Sequence, residues 1–257
     1  MAESQQFKQA KAQAEVPEQS HQEFLAKLTA ESKAKQVSFM DEIARKLKRS
    51  RVIEKPDHPF RGAPDFWQSF DWPEQERIDH FTENFISAGG HVERLASMED
   101  ARRFIQEKAE QMSAKFIIRQ NQRELGELDL EGAIPDALIS VWNTGAEEHW
   151  RARAAEADFG VVIADYAAAY TGSITVLSSK DKGRSVSLLP TVLMAIIPVE
   201  RLKTRLGEIL VNFDQSGQGS LPAGIHFISG PSRSADIEND LTIGVHGPGV
   251  VYALLVG

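Results

Sequence analysis

The chain contains no cysteine in 257 residues. Disulfides, cysteine nucleophiles, cysteine-ligated zinc and conventional iron–sulfur clusters are therefore excluded. Long apolar runs are also missing. The longest, around residues 192–199, falls far short of the roughly 20 residues a spanning helix needs and suits a buried strand. The opening stretch MAESQQFKQAKAQAE has no apolar segment of signal-peptide type, so a cytoplasmic location without membrane insertion is expected. A basic excess is absent too. The net charge is −8, which argues against a nucleic-acid partner. The seven histidines (21, 58, 80, 91, 149, 226 and 246) form no H-x-x-x-H pair, and neither a metal nor a cofactor is expected. No phosphate-cradling G-x-x-x-x-G-K-[ST], no G-x-G-x-x-G after a strand and no G-x-S-x-G elbow occurs.

What is present is an ordinary globular composition, 42% hydrophobic and 26% charged, long enough for one large α/β domain with or without an appendage. Charge is uneven. Residues 1–55 carry 11 basic and 8 acidic side chains, so the acidic excess lies in the remainder. The one basic cluster, residues 45–51, reads as the solvated end of a helix, with a nucleic-acid or membrane patch as the alternative. Residues 1–36 hold few apolar side chains and suggest a helical or disordered arm. Phe39, Ile43 and Leu47 recur at four-residue steps, as on one helix face. A proline- and aromatic-rich connector follows, with Phe60, Phe66, Trp67, Phe70 and Trp72 suited to packing on a neighbouring surface.

Helices and strands then alternate. Pro73 opens a helix whose apolar face is Ile78, Phe81 and Phe85, and Gly89-Gly90 stops it. Residues 97–100 resemble a capping box opening a helix to about residue 112. A further helix is expected over 146–157 and another over 199–213. Strands are expected at 91–95, 115–119, 159–164, 173–177, 192–197, 225–228, 241–245 and 250–256. This alternation favours a mainly parallel sheet covered by helices on both faces, with a helical N-terminal extension. Ligands of such sheets gather at loops beyond the carboxyl ends of strands.

Three segments could carry chemistry. In Thr171-Gly172-Ser173, a glycine between hydroxyl residues allows close backbone approach to a ligand, or makes a plain tight turn. Arg184, in GRSVSLLP, could anchor a carboxylate or phosphate, or lie idle on the surface. The third runs SGPSRSADIE and then GVHGPG. There a strand enters a Gly-Pro turn and then a short helix that Ser232 or Ser234 would cap, with Asp236 in its first turn. Free N–H groups at that helix start, reinforced by Arg233, would hold an anion. The alternative is a well-capped turn whose Asp236 holds the loop of His246, a structural residue or an acid/base group.

The series GPSRSADIE…GVHGP is similar to the signature that ends LUD domains. The strand at 173–177, the block RSVSLLP and residues 195–198 resemble the family in order and spacing. The helix FMDEIARKLKR resembles the start of its lactate-utilisation protein C branch. The resemblance covers residues 39–257, divided into an entry helix and aromatic connector (39–72) and an α/β core (73–257), with residues 1–38 as an arm outside it. It implies a fold related to the NagB/RpiA/CoA-transferase-like superfamily. It also implies a role in oxidising L-lactate to pyruvate with iron–sulfur partner proteins, as the cluster-free accessory or assembly subunit. A stand-alone enzyme acting on a carboxylate, sugar-phosphate or acyl-CoA-like substrate is the alternative. An anionic small-molecule ligand is expected under either reading, and homo-oligomerisation is left open. Three positions depart from the family pattern. Tyr170 stands where an acidic residue usually precedes Thr-Gly, Leu193 where histidine is frequent, and Gly249 where arginine often follows His-Gly-Pro.

Overall fold

The computed structural model describes residues 18–51, 53, 70–145, 149–216, 218–235 and 241–257. The chain divides into two compact units, Met1–Pro64 and Asp65–Gly257. In the first, helix α1 (Glu18–Lys46) runs unbroken through residue 38, where the sequence reading ends the arm. Glu42 pairs with Arg45 and Lys46 one turn on, and basic residues occupy the last turn, where the helix dipole favours them. Asp41 accepts a hydrogen bond from Arg51 beyond the helix end. Phe60, Phe66 and Trp67 lie outside the described residues.

The second unit opens with α2 (Glu74–Ser87), which buries Ile78, Phe81 and Phe85. Gly89, at φ 90°, ends it in the left-handed conformation that glycine adopts without steric cost. Strand β1 (His91–Leu95) leads to α3 (Met98–Gln111). Ser97 caps α3 by accepting from the Asp100 N–H, and its hydroxyl donates to the Asp100 carboxylate. There follow β2 (Phe116–Arg119), the short helices α4 (Arg123–Glu127) and α5 (Leu130–Ala133), β3 (Leu138–Val141), α6 (Trp150–Glu156) and β4 (Phe159–Ile163). Strands β5 (Tyr166–Ala168) and β6 (Ser173–Ser178), helix α7 (Ser185–Leu188) and strand β7 (Val192–Pro198) come next. The chain closes with β8 (Leu202–Lys203), α8 (Leu206–Ser216), β9 (Gly224–Ile228), β10 (Arg233–Ala235), β11 (Leu241–Ile243) and β12 (Val250–Val256).

Six strands form a parallel sheet in the order β1-β12-β7-β4-β2-β3. Its central strands β4 and β7 are buried on both faces, so their sequences are continuous apolar runs without alternation. On one face Ile105, Ile117, Leu125, Phe159 and Met194 pack beneath α3, α4 and α5. On the other, Phe81, Phe85, Ile118, Val162, Leu193 and Ala195 pack beneath α2, α6 and α7 and a second sheet, β8-β5-β6-β9. Leu193 is wholly buried in that second layer.

Two expected helices differ from the sequence reading. The helix expected over 199–213 begins only at Leu206. Before it, Val199–Arg201 makes a 3-10 turn and Leu202–Lys203 pairs with Ala167 and Ala168 of β5. The edge of β5 takes up that backbone before the helix can start. The short helix expected after Ser232 is likewise absent at its expected start. Arg233–Ala235 pairs antiparallel with Leu241–Ile243, so N–H groups that a helix start would leave open enter a ladder. Asp236 itself lies outside the described residues.

Candidate functional site

After β2 the chain steps outward to β3, whereas from β4 it steps the other way to β7 and then β12. The direction of winding reverses between β2 and β4, and the crevice beyond their carboxyl ends is where open α/β sheets take ligands. Gln120 and Asn121 lie there after β2, and Ala164 and Asp165 after β4. The Gln120 N–H donates to the Val161 carbonyl at 3.2 Å, extending the ladder by one residue. Its side chain is wholly buried, and neither amide atom has a hydrogen-bond partner among the described residues. Each such unmet group costs on the order of 1–3 kcal/mol, so native folds seldom retain one without a use.

Residues 179–184 pass over these strand ends. The Asp181 carbonyl accepts from the Asn121 N–H at 2.9 Å. The Lys180 carbonyl accepts from Trp142 Nε1 and Asn143 Nδ2, each at 3.2 Å. Lys182 Nζ pairs with Asp165 at 2.5 Å, and both are mostly buried. The other Asp165 oxygen accepts from the Leu177 N–H at 2.8 Å, tying β4 to the end of β6. Gly183 sits directly against the Trp142 indole, and a Cβ there would overlap the ring.

Beside this loop, Ser178 Oγ and His226 Nε2 are 2.9 Å apart across the β6–β9 pair. Gly224 makes room, since a Cβ there would stand 2.8 Å from His226 Nε2. Burial, reinforced by the charge of Arg184, holds the His226 imidazole below the ordinary histidine range. His226 is therefore mostly neutral at pH 7, and more completely so in the folded chain than in the unfolded one. Below about pH 6.5 the unfolded state takes up the proton first, and stability falls until the lower folded value is passed. The thermal midpoint should thus drop on acidification from about pH 7.5 to about pH 5.5, and drop less in His226→Gln. Equal drops in the two proteins would show that His226 is not the group responsible.

Of the residues expected from sequence to meet a ligand, the groups around Gly172 and Arg233 both adjoin the end of α2, and Arg184 lies at the start of α7. Arg184 is exposed beside His226 at the start of α7. Gly172, at φ 55°, is closely approached by α2. A Cβ there would lie 2.8 Å from Asn84 and Phe85 backbone atoms, and Asn84 Nδ2 donates to the carbonyls of Ala169 and Tyr170. Thr171 is exposed on that turn, and Ser173 Oγ is 2.7 Å from Ser229 Oγ. Arg233 Nη2 packs on Gly89 at the end of α2. Ser232 is engaged through its backbone, donating to Pro248 and accepting from Gly244. Ser234 sits in the β10–β11 ladder opposite Thr242, while His246 is exposed on the adjoining loop. Ser178, His226 and Gln120 carry no sequence motif; only their placement after folding distinguishes them.

The aromatic connector is seen at its end. Phe70 lies 5.4 Å from Trp72 and 5.5 Å from Tyr170, and Trp72 stacks on His80 at 4.0 Å. Thr204 Oγ1 accepts from the Trp72 N–H and donates to Asp71, whose carboxyl that bond holds below its usual range. Tyr170 thus belongs to an aromatic cluster with Phe70 and Trp72. Among the described residues no group of three or more histidine, aspartate or glutamate side chains is placed to hold a metal ion, and no helix is long and apolar enough to cross a membrane.

An open parallel sheet, layered on both faces, with polar groups clustered beyond its strand ends, is the architecture of a ligand-binding α/β domain. The chain belongs to the LUD-domain family, whose model matches residues 78–256. Lactate utilization protein C of Shouchella clausii (strain KSM-K16) is 35% identical over 215 residues, 82% of this chain and 93% of that protein. The protein of the same name from Halalkalibacterium halodurans is 32% identical over 216 residues, again 82% and 93%. The crystal structure of a DUF162 family protein from Deinococcus radiodurans superposes with a TM-score of 0.53 at 17% identity, covering 72% of this chain and 99% of that one. That structure supports the fold.

Proposed function

We propose that this chain is a cluster-free accessory or assembly subunit of a cytoplasmic system that oxidises L-lactate to pyruvate with iron–sulfur partner proteins. The observation that carries this reading is alignment with proteins named Lactate utilization protein C over 82% of the chain and 93% of theirs. The lack of cysteine fits it. With no thiolate to ligate a conventional cluster, one-electron chemistry on iron–sulfur centres falls to other chains. Arg184 is the proposed contact for an anionic small molecule, being exposed beside a neutral histidine.

The Ser178–His226 pair favours one other reading, an independent enzyme acting on a carboxylate, sugar-phosphate or acyl-CoA-like substrate. A hydroxyl within hydrogen-bond reach of a neutral imidazole is the minimal arrangement for nucleophile activation.

Deleting the gene should abolish growth on L-lactate while sparing growth on pyruvate. The tagged protein should co-purify with two iron-containing, cysteine-rich proteins from lactate-grown cells. Undiminished growth on L-lactate, or purification without iron-containing companions, overturns the subunit reading. In the second case, turnover of an ester or thioester that is lost in Ser178→Ala would establish the independent enzyme.

A further inference from the structure

We propose that Gln120 is the floor of a binding site for a small 2-hydroxycarboxylate, and that residues 179–184 are its cover, shut in this structure. The proposal deepens the functional reading above and rests on it for the choice of acid.

The starting point is the unmet amide. Gln120 has no exposed surface, and neither Nε2 nor Oε1 is bonded among the described residues. The alternation of a strand puts its side chain on the face of Ile118, in the layer between the parallel sheet and the β8-β5-β6-β9 sheet. It therefore stands at the point where the winding direction reverses, beneath the segment that crosses the ends of β2 and β3.

That segment is fastened in a way suited to opening. Its ties are hydrogen bonds from Asn121, Trp142 and Asn143, the Lys182–Asp165 ion pair and the contact of Gly183 with an indole. Residues 179–181 and Arg184 are exposed. A loop held by few apolar contacts opens locally at low cost compared with the core.

The chemistry of the amide selects the ligand. Nε2 donates and Oε1 accepts. A carboxylate oxygen would take the first and a hydroxyl on the neighbouring carbon would satisfy the second. The charge of the carboxylate is met by Lys182 on the cover, which must turn to it from Asp165. A 2-oxo acid or an unsubstituted acid offers no donor and leaves Oε1 unmet, and sites built around a hydroxyl reject analogues lacking it.

The test is calorimetric titration of the full-length protein with L-lactate, pyruvate and propionate, with Trp142 emission as an independent signal. L-lactate should bind at least about tenfold more tightly than the other two. Gln120→Leu, or Gln120→Met if leucine packs poorly, should raise the thermal midpoint by removing the unmet amide. It should also weaken L-lactate binding at least about tenfold. Gly183→Ala, which forces the cover off Trp142, should weaken it as well. The proposal is overturned if the wild-type protein binds none of the three acids, or if the Gln120 variants bind L-lactate unchanged, in which case the amide serves a buried water. Co-purification with iron-containing partners does not depend on Gln120. Its loss in the wild type would sink the subunit reading alone, and its persistence without L-lactate binding would sink this site alone.

Discussion

Gly160→Ala should destabilise the Asp65–Gly257 unit by about 3 kcal/mol, read from denaturant unfolding as a lower midpoint at unchanged slope. Gly160 lies in β4, the strand between β2 and β7. Its missing side chain leaves the space into which α7 packs. A Cβ there would overlap the Val186 carbonyl oxygen and stand 2.8 Å from Pro190 Cγ. The first obstacle is backbone, so no rotamer change relieves the overlap; strand and helix must separate. Val186 is itself fully buried in the same layer, so separation also loosens the packing around it. Because α7 follows directly on residues 179–184, the damage should reach the candidate site. Quenching of Trp142 by a neutral solute should rise in the variant. An unchanged midpoint would mean that α7 is not held where described.

The second large effect is expected at Phe85. Its ring is wholly buried, stacks on Phe81 at a centroid distance of 5.4 Å and fills the space above Gly90, where a Cβ would overlap it. Phe85→Ala should cost about 3–5 kcal/mol through lost transfer energy and the cavity left behind. For a unit of this size the thermal midpoint should fall by roughly 10 °C. The same helix turn presents Asn84 to the carbonyls of Ala169 and Tyr170 and closes on Gly172. Loosening it should therefore also expose Ser173, which faster hydrogen exchange at the start of β6 would report. A loss below about 1 kcal/mol would show that the site collapses around the truncation.

These effects mark where sequence reading succeeded and where it stopped. The elements whose identity is local were legible. The Ser97 cap and its acidic first turn announce α3, the spacing of Ile78, Phe81 and Phe85 announces the buried face of α2, and the apolar runs of β4 and β7 announce strands covered on both sides. In each case the signal lies in residues no more than a few positions apart, because capping and burial periodicity are properties of a single element. The stretches over 199–205 and 233–235 read as helix because their local pattern permits one. Their actual state depends on a partner strand far away in sequence, β5 in one case and β11 in the other, and local propensity yields to that pairing.

For the candidate site the division is sharper. The composition alone excluded cysteine ligands from these 257 residues, since that follows from counting them. The C-terminal signature determined the family. The tertiary structure alone decided that Gly172 meets a helix, that Arg233 lies against Gly89 and that Ser178 reaches His226 across 48 residues of chain. It also decided that Gln120 is buried with its amide unmet. A glutamine after a short strand is unremarkable in sequence, because its burial is set by the winding of the sheet and by a loop some sixty residues further along the chain. The two sheets bring those segments together, and no local rule encodes which polar groups they enclose.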